Sequence, residues 1–460
     1  MKKIMLWALV GAIGCAGGLE RQGRRTLEAS ELRPRSAEAE PPPIDGSLQT
    51  YLIYAMSRSP ELRADFERWR AAIERIAVAR RLPAPTLSFG VFLRSVETRV
   101  GPQRLRLSIR QSFPWPTRLS AASDAAAHRA RAAEARLEGR ALALRHRVAE
   151  IYWRLWLVER VHRLKIDQED LLEMLTALVR GRIETGQADL AELAQVELLL
   201  DGHRDHHGVH AEARIALEAE LRAAIGAPAE LPTPITDAAP PFGLPAASAQ
   251  TLLGWVLAHP RLARLERLAQ AADAAADAED ALRYPSLGLG LDWIETGEAA
   301  DPSMPQSGLD PLIVSVSVSL PIWGGYGAGV EAARADAAAE RAGYEALALE
   351  ADAALRGRLA QLRDTRRRAL LHRDLLVPRG LSAWEATLGA YQVGRSGIAA
   401  ILLVQRDLLA HQIALEQARI EHALGWAALE DLVGRELEIE GGSGWEAPAE
   451  EPMDPAQEQP

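Results

Sequence analysis

The chain has one cysteine in 460 residues, so no disulfide can form within it. It has no basic surplus: the formal net charge is −10, whereas a nucleic-acid binder carries an excess of Lys and Arg to release phosphate counterions. Nucleic acid is therefore not an expected partner. Beyond the N-terminus no apolar run approaches the roughly 20 residues of a membrane-spanning helix, so any bilayer crossing must use strands. A phosphate-binding glycine loop, a zinc-protease helix and a G-x-S-x-G nucleophile turn are all missing, and the scattered acids and histidines have no catalytic spacing. An enzyme is not expected, nor is a cofactor. What is present, 48% hydrophobic and 25% charged residues, is a globular composition.

Lys2 and Lys3 precede an uncharged apolar run over residues 4–14. That is a signal-peptide pattern, too short to span a bilayer, so residues 1–14 read as a signal and the chain as exported. Cys15 stands where the run ends, in Ala12-Ile13-Gly14-Cys15-Ala16. These small residues resemble a bacterial lipobox, which implies that Cys15 becomes the lipidated first residue of the mature protein. An ordinary cleaved signal beside an incidental cysteine is the other reading. Residues 15–46, rich in Gly, Arg, Glu and Pro and including Pro41-Pro42-Pro43, read as a tether without a core. The acidic, proline-containing stretch 441–460 reads as a disordered tail.

Self-similarity organises the rest. Ser59-Pro60-Glu61-Leu62 returns as His259-Pro260-Arg261-Leu262 and Pro85-Thr86-Leu87 as Pro285-Ser286-Leu287, both 200 residues on. Phe113-Pro114-Trp115 then matches Leu320-Pro321-Ile322 at an offset of 207, while Gly186 matches Gly394 and Ile225-Gly226 matches Val433-Gly434 at 208. The chain is a tandem duplication, with a first copy over 47–226 and a second over 249–440 that carries extra residues in one place. Proline-rich 227–248 is the linker.

Each copy reads helix, strand, strand, very long helix, turn, helix. Strands are predicted at about 86–95, 104–113, 286–294 and 312–320. Leu87, Phe89, Val91 and Leu93 fall on one face of the first, and Leu105, Leu107 and Ile109 alternate with Arg106, Ser108 and Arg110 in the second. In the second copy Leu287, Leu289, Leu291 and Trp293 alternate with Gly288, Gly290 and Asp292, and Val314, Val316, Val318 and Leu320 with Ser315, Ser317 and Ser319. Period two with one apolar face is a strand signature. Alone it fits a hairpin on a soluble core. The flanks, Phe113-Pro114-Trp115-Pro116 and Pro321-Ile322-Trp323, stand where an aromatic interface girdle belongs, and about ten residues suit a tilted bilayer crossing.

No strong breaker interrupts about 117–183 or about 328–392, so each reads as a helix of roughly 100 Å at ~1.5 Å per residue. Leu137, Ala141, Leu144, Val148, Ile151, Leu155 and Val158 step by four and three, a coiled-coil seam that Tyr344, Ala348, Ala351, Leu355 and Leu362 repeat, with Arg358 at the place of Ile151. A periplasmic structural coiled coil would explain these helices but neither the signal nor the strands.

Four strands cannot close a transmembrane barrel, and an open edge in lipid leaves backbone groups unpaired at several kcal/mol each. The subunit must oligomerise, and a conducting lumen favours about twelve strands from three copies over about eight from two. Over 47–440 the repeat order and its markers, together with Gln111-Ser112-Phe113-Pro114, Leu320-Pro321-Ile322-Trp323-Gly324-Gly325, Pro378 and Tyr391-Gln392-Val393-Gly394, resemble the TolC family of outer-membrane efflux factors. The resemblance implies a mostly α fold with a pair of transmembrane β-hairpins, assembled as a homotrimer with a 12-stranded outer-membrane barrel and a periplasmic helical tunnel. Such a conduit is passive and docks a periplasmic adaptor and an inner-membrane pump. A type I protein secretion duct has the same architecture. Similar proteins often carry an N-terminal lipid, which agrees with Cys15.

By the same resemblance Thr185-Gly186-Gln187-Ala188 and Val393-Gly394-Arg395-Ser396 form the periplasmic tips, with Gly186, Gln187, Gly394 and Arg395 meeting the adaptor. Glycine suits a tight reversal, or merely ends a helix. Some members place aspartates past the second tip to narrow the tunnel entrance. Here Ala400 and Leu403 stand there, which leaves Asp189 and Glu192 after the first tip to supply charge. In the barrel, Arg106, Arg110, Ser315 and Ser317 are expected to face the lumen, opposite lipid-facing Leu289, Leu291, Val316 and Val318. His203, His206, His207 and His210 lie with Asp205 at helical spacings of three and four. They admit two readings, a site for a soft or borderline metal or a solvated or subunit-packing face. A metal-binding periplasmic lipoprotein is thus the competing class.

Overall fold

The computed structural model describes residues 18–33, 40–236, 238–301, 303 and 305–440. The predicted signal 1–14, Cys15 and the tail 441–460 lie outside the described residues. Along the chain the elements are α1 (Gly18–Ala29), α2 (Leu48–Arg58), α3 (Pro60–Ala79), β1 (Thr86–Thr98), β2 (Gly101–Phe113), α4 (Pro116–Glu184) and α5 (Leu190–Ile225). The second copy repeats them as α6 (Ala249–Leu257), α7 (Pro260–Asp280), β3 (Ser286–Thr296), β4 (Leu312–Ser319), α8 (Tyr326–Leu371), α9 (Val377–Gln392) and α10 (Ile398–Val433).

The chain forms two compact units. Among the described residues one comprises 18–31, 65–137 and 261–346 and holds the sheet, in the order β1-β2-β3-β4 with antiparallel neighbours. The central β2·β3 pair joins the hairpins of the two copies. β1 and β2 are longer than predicted and turn on Arg99 and Val100 alone, whereas β3 and β4 are separated by residues 297–311, which locates the extra residues of the second copy. At the β1–β2 turn Gly101 has φ +131 and lies so close to the Gly297 carbonyl that a Cβ would collide with it. No other residue fits there.

The predicted tether is corrected in part, because it contains the twelve-residue α1. This helix is charge-rich but not solitary: Arg24 pairs with Glu20 and, at 2.7 Å, with Glu74 of α3, and Gly23 lies against Ile73.

The other unit, within 32–64, 138–260 and 347–440, is helical over its described residues. Much of the predicted seam is buried in it, with Val158 and Ala348 half-buried. Ala141, Leu144, Val148, Ile151 and Leu155 are buried, as are Ala351, Leu355 and Leu362, while Arg358 turns outward to Gln361. The linker is pinned: Ala246 N–H donates to Glu438 O, Glu440 N–H to Leu244 O, and His422, fully buried, binds Gly243 and Thr365. The duplication repeats even in its packing, since Gly226 (φ +71) closes α5 against Pro60 and Gly434 (φ +75) closes α10 against His259.

Two further expectations are corrected. The second long helix is interrupted by a π turn, His372–Leu376. Pro378 has no N–H to continue the α pattern, and the Val377 N–H reaches back to His372 O instead. Also, α10 is apolar and long enough to cross a membrane. It nevertheless buries Gln405, Glu416, Arg419 and His422, with Gln405 on Gln168 at 2.8 Å and Arg419 on Glu416 at 2.7 Å, as a helix inside a protein core does.

Candidate functional site

The sheet sorts its residues in the reverse of a soluble sheet. The register aligns Leu87, Ile109, Leu291 and Val314 in one row across the four strands and Phe89, Leu107, Trp293 and Leu312 in another. These apolar rows are open to the surroundings, with Leu87 69%, Phe89 68%, Val314 75% and Leu312 65% exposed, and Val316 in the next row is 68% exposed. On the opposite face Ser108 and Asp292 are buried, with Ile294 covered beside them.

On that polar face the Arg106 guanidinium donates to Asp292 Oδ1 through Nε (3.0 Å) and Nη2 (2.6 Å), and the Ser108 hydroxyl donates to the same oxygen at 2.6 Å. Arg110 Nη2 stands 3.7 Å from it. Arg110, Gly290 and Ser315 share a row, as do Ser112, Gly288 and Ser317. A Cβ at either glycine would strike the serine hydroxyl. Arg106, Arg110, Ser315 and Ser317 are therefore brought to one face, as the alternation predicted. Asp292, which organises both arginines, was not singled out because its partners are nearly two hundred residues away.

At the strand ends Trp115 stacks on Tyr284 with ring centroids 5.5 Å apart, and Trp323 is exposed. β1 and β4 are the edge strands, each paired on one side only.

The helical unit ends in two equivalent turns. Gly186 (φ +70) and Gly394 (φ +75) are left-handed. In the first turn Gly186 N–H donates to Ile183 O and Gln187 N–H to Arg182 O. In the second, Gly394 N–H donates to Tyr391 O and Arg395 N–H to Ala390 O. Both are Schellman caps, which satisfy helix-end carbonyls with only a glycine in the left-handed position. Gly186, Gln187, Gly394 and Arg395 are exposed.

Asp189 does not stand free as a charge at an opening. It is the N-cap of α5 and accepts from Glu192 N–H at 2.9 Å. Glu192 is drawn across to the other turn, where it accepts from the Tyr391 hydroxyl at 2.8 Å. Tyr391 is buried, and its phenol is pushed up to about 12 by burial first and then by the Glu192 carboxylate. Arg182 lies over the Tyr391 ring at 4.5 Å and donates to Tyr391 O at 2.7 Å. Beneath this latch Leu172, Leu175, Val179, Val196, Leu200, Trp384, Ile398 and Ile401 form one cluster from both copies. Sequence reading missed Arg182 and the role of Tyr391, though Tyr391 lay in a noted motif.

The histidines do not converge. His207 and His210 face His162 of α4, with ring centroids 5.2 and 5.6 Å apart, and His203 neighbours His206 at 6.3 Å. His207 Nε2 lies 2.5 Å from Glu169, which also accepts from Arg204. Among the described residues no three His, Cys, Asp or Glu side chains gather as a metal site. Burial lowers the pKa of His203 and His210, and nearby Lys165 adds to the effect.

A family model described as outer membrane efflux protein matches residues 53–227 and 257–435, most of both repeat copies. No curated protein sequence matches the chain significantly. Among solved structures, CusC, studied for folding and transmembrane channel formation, is similar with a TM-score of 0.72 at 17% identity, covering 88% of this chain and 97% of that one. The outer membrane protein VceC of Vibrio cholerae has a TM-score of 0.69 at 18% identity, covering 85% and 97%. The open-state MtrE outer membrane channel of Neisseria gonorrhoeae has 0.68 at 20%, covering 85% and 90%. With a duplicated sequence, an inside-out sheet and a family match over most of its length, the chain belongs to the outer membrane efflux protein family.

Proposed function

We propose that the chain is one subunit of a passive export conduit of a tripartite efflux system, with three copies closing their sheets into a barrel in the outer membrane. The observation that carries this reading is the exposure of the apolar rows, with Leu87, Phe89, Val314 and Val316 each more than half exposed while Asp292 is buried. In water those rows would be costly, at about 25 cal/mol per Å² of apolar surface; in lipid they are at home. Pairing β1 of one copy with β4 of the next removes the open edges and gives about twelve strands from three four-stranded sheets. Arg106, Arg110, Ser315 and Ser317 then line the lumen.

In this reading the turns at Gly186, Gln187, Gly394 and Arg395 lie in the periplasm and meet the adaptor, an inner-membrane pump supplies energy, and Cys15 carries a lipid anchor. Glu192 bridges the two tips through Tyr391 and Asp189 caps its own helix, in place of an acidic ring. No residue is assigned a catalytic role. Native mass spectrometry of the detergent-extracted, unheated protein is expected to give three copies that separate only on heating. A monomer in native membranes would refute the conduit.

A further inference from the structure

We propose that the polar face of the sheet favours anions: Arg106 and Arg110, repeated around the closed barrel, make its lumen pass small anionic solutes in preference to cations of similar size. This rests on the reading that the polar face lines the lumen, and it adds a substrate class to that reading.

The charge on this face is layered. Asp292 sits at the sheet surface with its carboxylate side chain only 3% exposed, while Arg106 and Arg110 above it are 44% and 61% exposed. One buried acid is shared by two guanidiniums and the Ser108 hydroxyl. What a solute meets is therefore positive, with a surplus of one charge per sheet from these three residues. The neighbouring rows offer no acid to cancel it, because Ser88, Gly90, Gly288, Gly290, Ser315 and Ser317 occupy them. At the strand ends Asp310 accepts from Thr296 N–H at 2.8 Å and Glu97 from Ala300 N–H at 3.4 Å, while Glu295 pairs with Leu105 in the register of the apolar face.

The face thus opposes the chain's overall charge of −10. The Arg106–Asp292 pairing fixes one guanidinium, and the missing side chain at Gly290 lets the Arg110 stem lie flat across the row. Arginine stays charged at all physiological pH and is weakly hydrated. Rings of arginine select anions where low-dielectric walls focus their field.

The test is the reversal potential of the full-length trimer in planar bilayers under a potassium chloride gradient. Chloride permeability is expected to exceed that of potassium. The R106E/R110E variant should invert the preference, R106K/R110K should keep it, and the milder Arg110→Gln, which leaves the Arg106–Asp292 pair in place, should lower it. A conducting trimer with no chloride preference, or one unchanged by R106E/R110E, overturns the inference and leaves the channel reading intact. A trimer that does not conduct overturns both.

Discussion

Tyr391 does more at the tips than the glycines around it. Its ring is buried, its hydroxyl reaches Glu192 beside the other turn, and Arg182 covers its face. With the phenol pushed up to about 12, the hydroxyl keeps its proton throughout the physiological range and remains a donor. Tyr391→Phe should preserve the packing and lose the bond, at a cost on the order of 1 kcal/mol. The measurement is tryptic cleavage after exposed Arg395, which is expected at lower urea in the variant. An unchanged urea threshold would mean that the latch contributes nothing to tip stability. The tyrosine was visible in a motif, and both glycines were legible as turn residues. Glu192 as its acceptor was not, because 199 residues separate the pair and no local period reports a contact of that range.

Among the elements, the α4–α5 pair carries a pH dependence. Burial depresses the folded-state pKa of His203 and His210, with Lys165 adding to the effect at both and Glu169 opposing it at His203. The folded chain therefore binds fewer protons there than the unfolded chain. The stability is fully present above the unfolded imidazole pKa of about 6.5 and is lost as pH falls below it. The urea midpoint of the helical unit is expected to drop between pH 7.5 and 5.5, and the slope should shrink in the His203→Gln/His210→Gln variant. An unchanged slope would contradict this assignment.

At the same scale the strands and long helices were legible because period two and the four-three seam are local patterns. The helix α1 was not, since its stability comes from α3 through Glu74 and Ile73 rather than from its own glycine-containing sequence. Pro378 was noted only as a family marker. Its effect, a π turn instead of a break, depends on neighbours that hold the helix on course.

For the whole molecule, one alternation governs the account. A sheet with apolar rows bare on one face, arginines and serines on the other, and two unpaired edges is stable only where lipid covers the rows and other copies pair the edges. The duplication supplies half of the sheet from each copy, and the family match covers both copies. The most direct measurement is cysteine labelling in native outer membranes of single variants at Val316 and Ser315, adjacent residues of β4. Val316→Cys is expected to react with a lipid-phase reagent and not with a water-soluble one, and Ser315→Cys to do the reverse. Equal reaction of both sites with the water-soluble reagent would contradict it.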